Sequence, residues 1–260
     1  MAQVRIIVDN IAQWQHIDAD TLQILLTGAY NSFARMTGFE LNKNIIVTNE
    51  LATHAPMIFY PTGELQEDNL YRIALNIPDG DNWGKIIHQF SHELCHAYCH
   101  YERVQAYKHK WFEEALGEAA AMSNLLYIHQ HWEALPFVHH PQINARRSCF
   151  NHYLDELLSN IPKNIPVASI LQYIEDHLTV LEVKSITQIR DDESAIRIRA
   201  VAYYLCERVF FHDISRWKAI NYFNEWDVTA DKNFIDFIRN WVRHGDENVR
   251  AIATTFGIFV

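Results

Sequence analysis

The amino-acid sequence predicts an α+β protein, and three observations carry that reading. Val4–Val8, Asn44–Thr48 and Tyr71–Ile77 are short runs rich in Val, Ile or Tyr, the residues that suit a pleated strand. Beyond residue 110 the apolar residues recur at helical spacing almost throughout. The chain of 260 residues is 49% hydrophobic with only eight glycines and seven prolines, enough for a substantial core and little room for linkers.

In chain order, the first strand is followed by a helix over about Asp18–Met36, with Thr21, Leu22, Ile24, Leu25 and Leu26 on its inner positions. Pro78-Asp79-Gly80-Asp81-Asn82 reads as a turn, and Asp81 or Asn82 can cap the helix that follows. Further helices are expected over 111–131, 142–159, 166–180, 192–212, 214–224 and 232–244. The break near Pro136, with His139-His140-Pro141, divides the chain into residues 1–135 and a helical part, 136–260. The opening run Val4-Arg5-Ile6-Ile7-Val8 lacks the basic start, longer apolar core and cleavage site of a signal peptide. No stretch approaches the roughly 18 apolar residues of a spanning helix. A soluble, cytoplasmic protein with no membrane partner is the expectation.

The most informative stretch is His92-Glu93-Leu94-Cys95-His96, an HExxH motif in a helical setting. Histidines four apart lie on one helical face, offset by about 40°. Both imidazoles can reach one tetrahedral metal ion, while Glu93 can take a proton from water that the metal activates. A third ligand is needed, and three side chains compete for it. Glu114 follows His96 after 17 residues, Glu113 after 16 and His109 after 12.

HELCH followed by Trp111-Phe112-Glu113-Glu114-Ala115-Leu116-Gly117-Glu118 resembles the gluzincin metallopeptidases. Their HExxH helix precedes a second helix with a glutamate ligand, three residues after a Trp in the aminopeptidase-type members. The resemblance covers residues 83–125. It implies zinc held by His92, His96 and Glu114, with Glu93 as general base. It also implies a small mixed β-sheet carrying the active-site helices, then a helical subdomain closing the cleft. The strand before the motif, Leu70–Ile77, is either a substrate-binding edge strand or an ordinary interior one.

Glu118 lies one turn beyond Glu114 and is placed to accept a hydrogen bond from His92 or, failing that, His96. Gluzincins supply an oxyanion donor from the helical part, for which Tyr203 and Tyr204 are the candidates, with His212 behind them. His88 and His100 continue the four-residue spacing but drift off the shared face, as capping, surface or supporting groups. His129, His131, His139 and His140 read as loop histidines rather than a second metal site. Cys95, Cys99, Cys149 and Cys206 are too sparse for a disulfide scaffold and read as free thiols.

His109 as third ligand resembles the SprT-type proteases and would bring a DNA-facing basic surface. The chain has 22 Lys+Arg against 32 Asp+Glu, a net charge of −10, which argues against a nucleic-acid partner. The Gly-x-Met-x-Asn segment with which related aminopeptidases hold a free amino terminus is absent between residues 50 and 90. The expected function is therefore a zinc-dependent endopeptidase acting on a peptide or protein. The alternative is a metal-binding or degenerate peptidase fold used as a binding module, which would not need a base such as Glu93. Oligomeric state is not legible.

Overall fold

The computed structural model describes residues 4–9, 11–14, 16–51, 56–60, 70–78, 82–100, 107–161, 170–187 and 192–259. Four strands, β1 (Ile6–Val8), β2 (Asn44–Asn49), β3 (Met57–Phe59) and β4 (Leu70–Leu75), form one sheet in the order β1-β2-β4-β3. β1, β2 and β4 are parallel, with Ile45 opposite both Ile6 and Tyr71. β3 runs antiparallel to β4, Ile58 facing Ile73. This is the small mixed sheet of an α+β fold, followed by helices.

Of the two readings of Leu70–Ile77, the structure adopts the interior one. β4 pairs with β2 on one side and β3 on the other, so Ile73, Ala74 and Leu75 are fully buried. The edge beside it is β3.

The first helix, α1 (Ala19–Thr37), starts where Asp18 accepts the Thr21 amide at 2.9 Å and the Thr21 hydroxyl at 2.7 Å. It buries Leu22, Leu25, Leu26, Ala29, Phe33 and Met36, a helical stripe, and stops at Gly38, whose φ of 66° suits glycine. The motif helix, α2 (Trp83–Tyr98), is capped by Asn82, whose Oδ1 accepts the Lys85 amide at 3.0 Å. Asp81, the other expected cap, lies outside the described residues. Every residue of α2 except Lys85 is buried. A helix enclosed on all sides must satisfy its polar groups within the protein, and two contacts fix its position. Gln89 exchanges hydrogen bonds with the Asn76 backbone at 2.8 and 3.1 Å, tying α2 to the end of β4. On its other flank, Asn124 of α3 (Lys110–Gln130) donates to the Ser91 hydroxyl at 2.8 Å and to the Ala29 carbonyl at 3.1 Å, while Ser32 donates to Asn124. This buried network sets the register of α1, α2 and α3.

The later helices are α4 (Pro141–Ala145), α5 (Arg147–Ser159), α6 (Ile170–Thr187), α7 (Asp192–Leu205), α8 (Phe234–His244) and α9 (Glu247–Thr255). The expected helix over 142–159 is broken at Arg146, which ends α4. The one over 192–212 ends at Leu205 and opens into a wider turn, Cys206–Phe210. Ile214–Tyr222 winds more tightly than an α-helix. α9 was not foreseen; it is short, and its start is set by Asp246 accepting the Asn248 amide at 2.8 Å. Phe112, Phe223, Phe234, Phe237, Trp241 and Phe256 pack edge to face and tilted around the start of α3. The buried apolar cluster includes residues on both sides of Pro136, from Val4 to Ile258.

Candidate metal centre

Two helices build the site. α2 presents His92 and His96 from successive turns, with ring centroids 5.1 Å apart. α3 crosses them with Glu114, whose two carboxylate oxygens lie 3.6 Å from His92 Nε2 and 3.7 Å from His96 Nε2. One donor atom from each residue lies within 4.8 Å of the other two. Tetrahedral ligands at zinc distances of about 2.0–2.1 Å stand roughly 3.3–3.5 Å from one another. The two His–Glu separations are close to that spacing. Two imidazoles and a carboxylate therefore form a group able to hold a metal ion. Glu93 is 4% exposed, and its charge is felt by His96.

α3 can come this close because Gly117 faces His92. A Cβ there would sit 3.0 Å from the ring's Nε2 and Cε1. In the sequence, one glycine inside an Ala-rich helix carries no signal of what it faces.

The carboxylate that holds His96 is Glu113, considered beforehand only as a rival ligand. Its Oε1 lies 2.6 Å from His96 Nδ1, and its Oε2 accepts from the Tyr107 hydroxyl at 3.0 Å and Asn224 Nδ2 at 3.4 Å. Glu113 is fully buried. The same Asn224 amide also donates to the Cys99 carbonyl at 2.7 Å, beyond the last turn of α2. Asn224 has a φ of 59°, a conformation that asparagine tolerates better than most residues. With Nδ1 engaged by Glu113, Nε2 of His96 is left toward Glu114, the arrangement that fixes a ligand histidine. Burial alone would lower the His96 imidazole. The Glu113 hydrogen bond, with the charges of Glu114, Glu113 and Glu93, instead pushes it up to about 10. Burial, followed by the nearby Glu113 charge, raises the Tyr107 phenol well above its ordinary value.

Glu118 sits on the other side, and its place differs from expectation. Its Oε1 is 3.9 Å from His92 Nδ1, longer than a hydrogen bond. Its nearer partners are His88 Nε2 at 3.3 Å and Arg199 Nε at 3.6 Å. Burial acts to raise this carboxyl, but His88, followed by the charges of His92 and Arg199, holds it well below the ordinary carboxylate range. His88, expected at the margin, is thus part of the site through Glu118.

Other candidates lie elsewhere. His109 is fully buried at the start of α3 against Phe234 and Phe237, with ring centroids at 6.0 and 5.3 Å, and is not among the converging ligands. Burial, then the charge of Lys108, lowers it to about 4. The Tyr203 hydroxyl donates to Glu207 on its own helical face, and Tyr204 donates to the Thr255 carbonyl at 3.1 Å. Neither contact brings an oxyanion donor to the triad, because α7 turns these positions toward α9 and the flanking surface. No contact among the described residues brings His212 there. His100 ends α2 with a φ of 53° and lies 3.4 Å from Glu225. His131 stacks on Tyr127, and no second metal group forms among the described residues. All four cysteines are free, Cys95 and Cys99 with their sulfurs 3.9 Å apart.

A cleft of about 200 Å³ opens beside His92, bounded by Pro56 ahead of β3 and by Tyr153 of α5. Among the described residues no helix is long and apolar enough to cross a membrane. No family model, curated protein or solved structure matches this chain. Fold and site together define a helical α+β protein whose two buried histidines and half-buried Glu114 form a group able to hold a metal ion.

Proposed function

We propose that the protein is a zinc-dependent metallopeptidase of the gluzincin type, hydrolysing internal peptide bonds. The observation that carries this reading is the convergence of His92, His96 and Glu114 within 4.8 Å, with Glu93 following the first histidine on the same helix. A site meant only to bind metal has no need of a buried acid at that position.

When bound, zinc would supply Lewis acidity to the substrate carbonyl and to water. His92, His96 and Glu114 are the residues that would hold it. Glu93 takes the proton of the attacking water and returns it to the leaving amine. Glu113 keeps Nδ1 of His96 engaged, so that the opposite nitrogen is presented to the ion. Tyr107 and Asn224 hold Glu113 in turn. The outer side of β3 pairs with no described strand, and Pro56, the residue ahead of β3, lines the cleft, so an extended substrate could add along β3 as a further strand.

The test is metal analysis of the purified protein, followed by cleavage of a peptide library with and without chelator. One zinc ion per chain and chelator-sensitive cleavage, restored by added zinc, are expected. A chain that holds zinc stoichiometrically and cuts no peptide would instead be a binding module.

A further inference from the structure

The whole chain carries ten more acidic than basic residues, yet the cleft beside the metal centre does not share that balance. Its wall includes Lys85, His88, His92, Tyr153 and Arg199 with one acid, Glu118. That acid is already matched, by His88 at 3.3 Å and Arg199 at 3.6 Å. Lys85 is the one residue of α2 that is not buried, and its ammonium has no ion-pair partner among the described residues. Arg199 directs Nε at Glu118 while its side chain stays 42% exposed, which leaves other guanidinium donors for a ligand. The Tyr153 hydroxyl, a donor held protonated because burial and Glu118 push its pKa to about 12, makes no hydrogen bond among the described residues. Gln89 does not compete, since both ends of its amide are engaged with the Asn76 backbone.

We propose that this cleft receives a carboxylate of the substrate, and that Lys85 and Arg199 make the protein selective for it. The inference rests on the peptidase reading and names its substrate class: a peptide with an acidic side chain, or a free C-terminus, close to the bond cleaved. Glu118 lies 3.6 Å from Nε, on one side of the guanidinium, which leaves the rest of the fork for bidentate carboxylate binding. A neutral isostere leaves Lys85 without a counter-charge, and a cationic residue meets like charge.

The experiment compares quenched-fluorescence peptides that differ only by Glu or Gln at each position flanking the scissile bond. Two further peptides end in a free carboxylate or a carboxamide, which separates the two sources. Charged hydrogen bonds of this kind are worth about tenfold or more in kcat/KM. We expect that preference at one flanking position or at the free terminus, with Lys85→Gln and Arg199→Gln each moving the ratio toward one. Equal kcat/KM for every pair would overturn the proposal while leaving the peptidase reading intact. A second readout needs no turnover: chemical-shift titration of the metal-free chain with N-acetyl-L-glutamate and with N-acetyl-L-glutamine α-amide, which carries no carboxylate. Saturable binding of the glutamate alone, weakened in Lys85→Gln, supports the cleft assignment even if no peptide is cut. Equal response to both probes counts against it.

Discussion

Under the proposed function, Glu93 and the two histidines share a helix but not a task, and a single substitution separates them. Glu93→Gln keeps the shape of the side chain and removes its capacity to accept a proton. The expected outcome is unchanged fold and zinc content with a loss of about 10²–10⁴-fold in turnover, read from metal analysis and steady-state kinetics. Turnover at the parental rate would exclude the base role. Glu113 and Glu118 differ in how firmly each holds its histidine. The 2.6 Å contact of Glu113 with His96 should matter more than the 3.9 Å approach of Glu118 to His92. Glu113→Gln is expected to weaken zinc binding by about 10–100-fold, and Glu118→Gln by less. Chelator competition measures both, and the reverse order would contradict the geometry. This ranking was not legible beforehand. Adjacent glutamates on one helix point about 100° apart, and only the crossing of α2 over α3 decides which faces the metal and which the back of a ring.

The start of α3 illustrates how an element positions a site through a residue that takes no part in it. His109 sits among Phe234 and Phe237, where burial lowers its pKa from 6.5 to about 4. Between those two values the unfolded chain binds a proton that the folded chain excludes. Stability therefore falls as pH drops from about 6.5 toward 4, and this group contributes no pH dependence above that window. Replacing it by a residue that does not titrate, His109→Phe, should flatten that part of the curve. Denaturant midpoints measured at several pH values provide the check; an identical acid slope in the variant would show that another group is responsible. At the sequence level His109 was legible as a histidine at a ligand-like distance from the motif. Its aromatic surroundings were not, because Phe234 and Phe237 lie more than a hundred positions further along the chain.

At the scale of the molecule, the proposed metal should couple site and stability. His96 carries a proton up to about pH 10 in the metal-free protein, and a metal ion must displace it. Binding should raise the thermal midpoint, with about 2.7 kcal/mol of added stability at a free zinc concentration of 100 times Kd. Calorimetric scans with zinc and with chelator measure this. A midpoint indifferent to zinc would mean that the three ligands do not act together in the native state. The coupling is expected to be global because Glu113 is tied through Asn224 to the last third of the chain, and Phe112 beside it enters the aromatic cluster of α8 and α9. Loosening α3 at its start would disturb core and site together.

Local chemistry and periodicity determined a good deal on their own: the α+β class, three of the four described strands, the motif helix with a cap at Asp81 or Asn82, and the pairing of His92 with His96 on one helical face. Each depends on residues close in sequence, where helix and strand geometry convert spacing directly into direction. Tertiary structure decided the rest. It made β4 interior and β3 the edge, gave His96 its carboxylate, engaged the Tyr203 hydroxyl with Glu207 and that of Tyr204 with Thr255, and assembled a basic cleft in an acidic chain. Those outcomes depend on which faces come together across long separations, Lys85 and Arg199 on one cleft and Glu113 against Asn224. Packing of whole elements sets such meetings, and no local pattern encodes them.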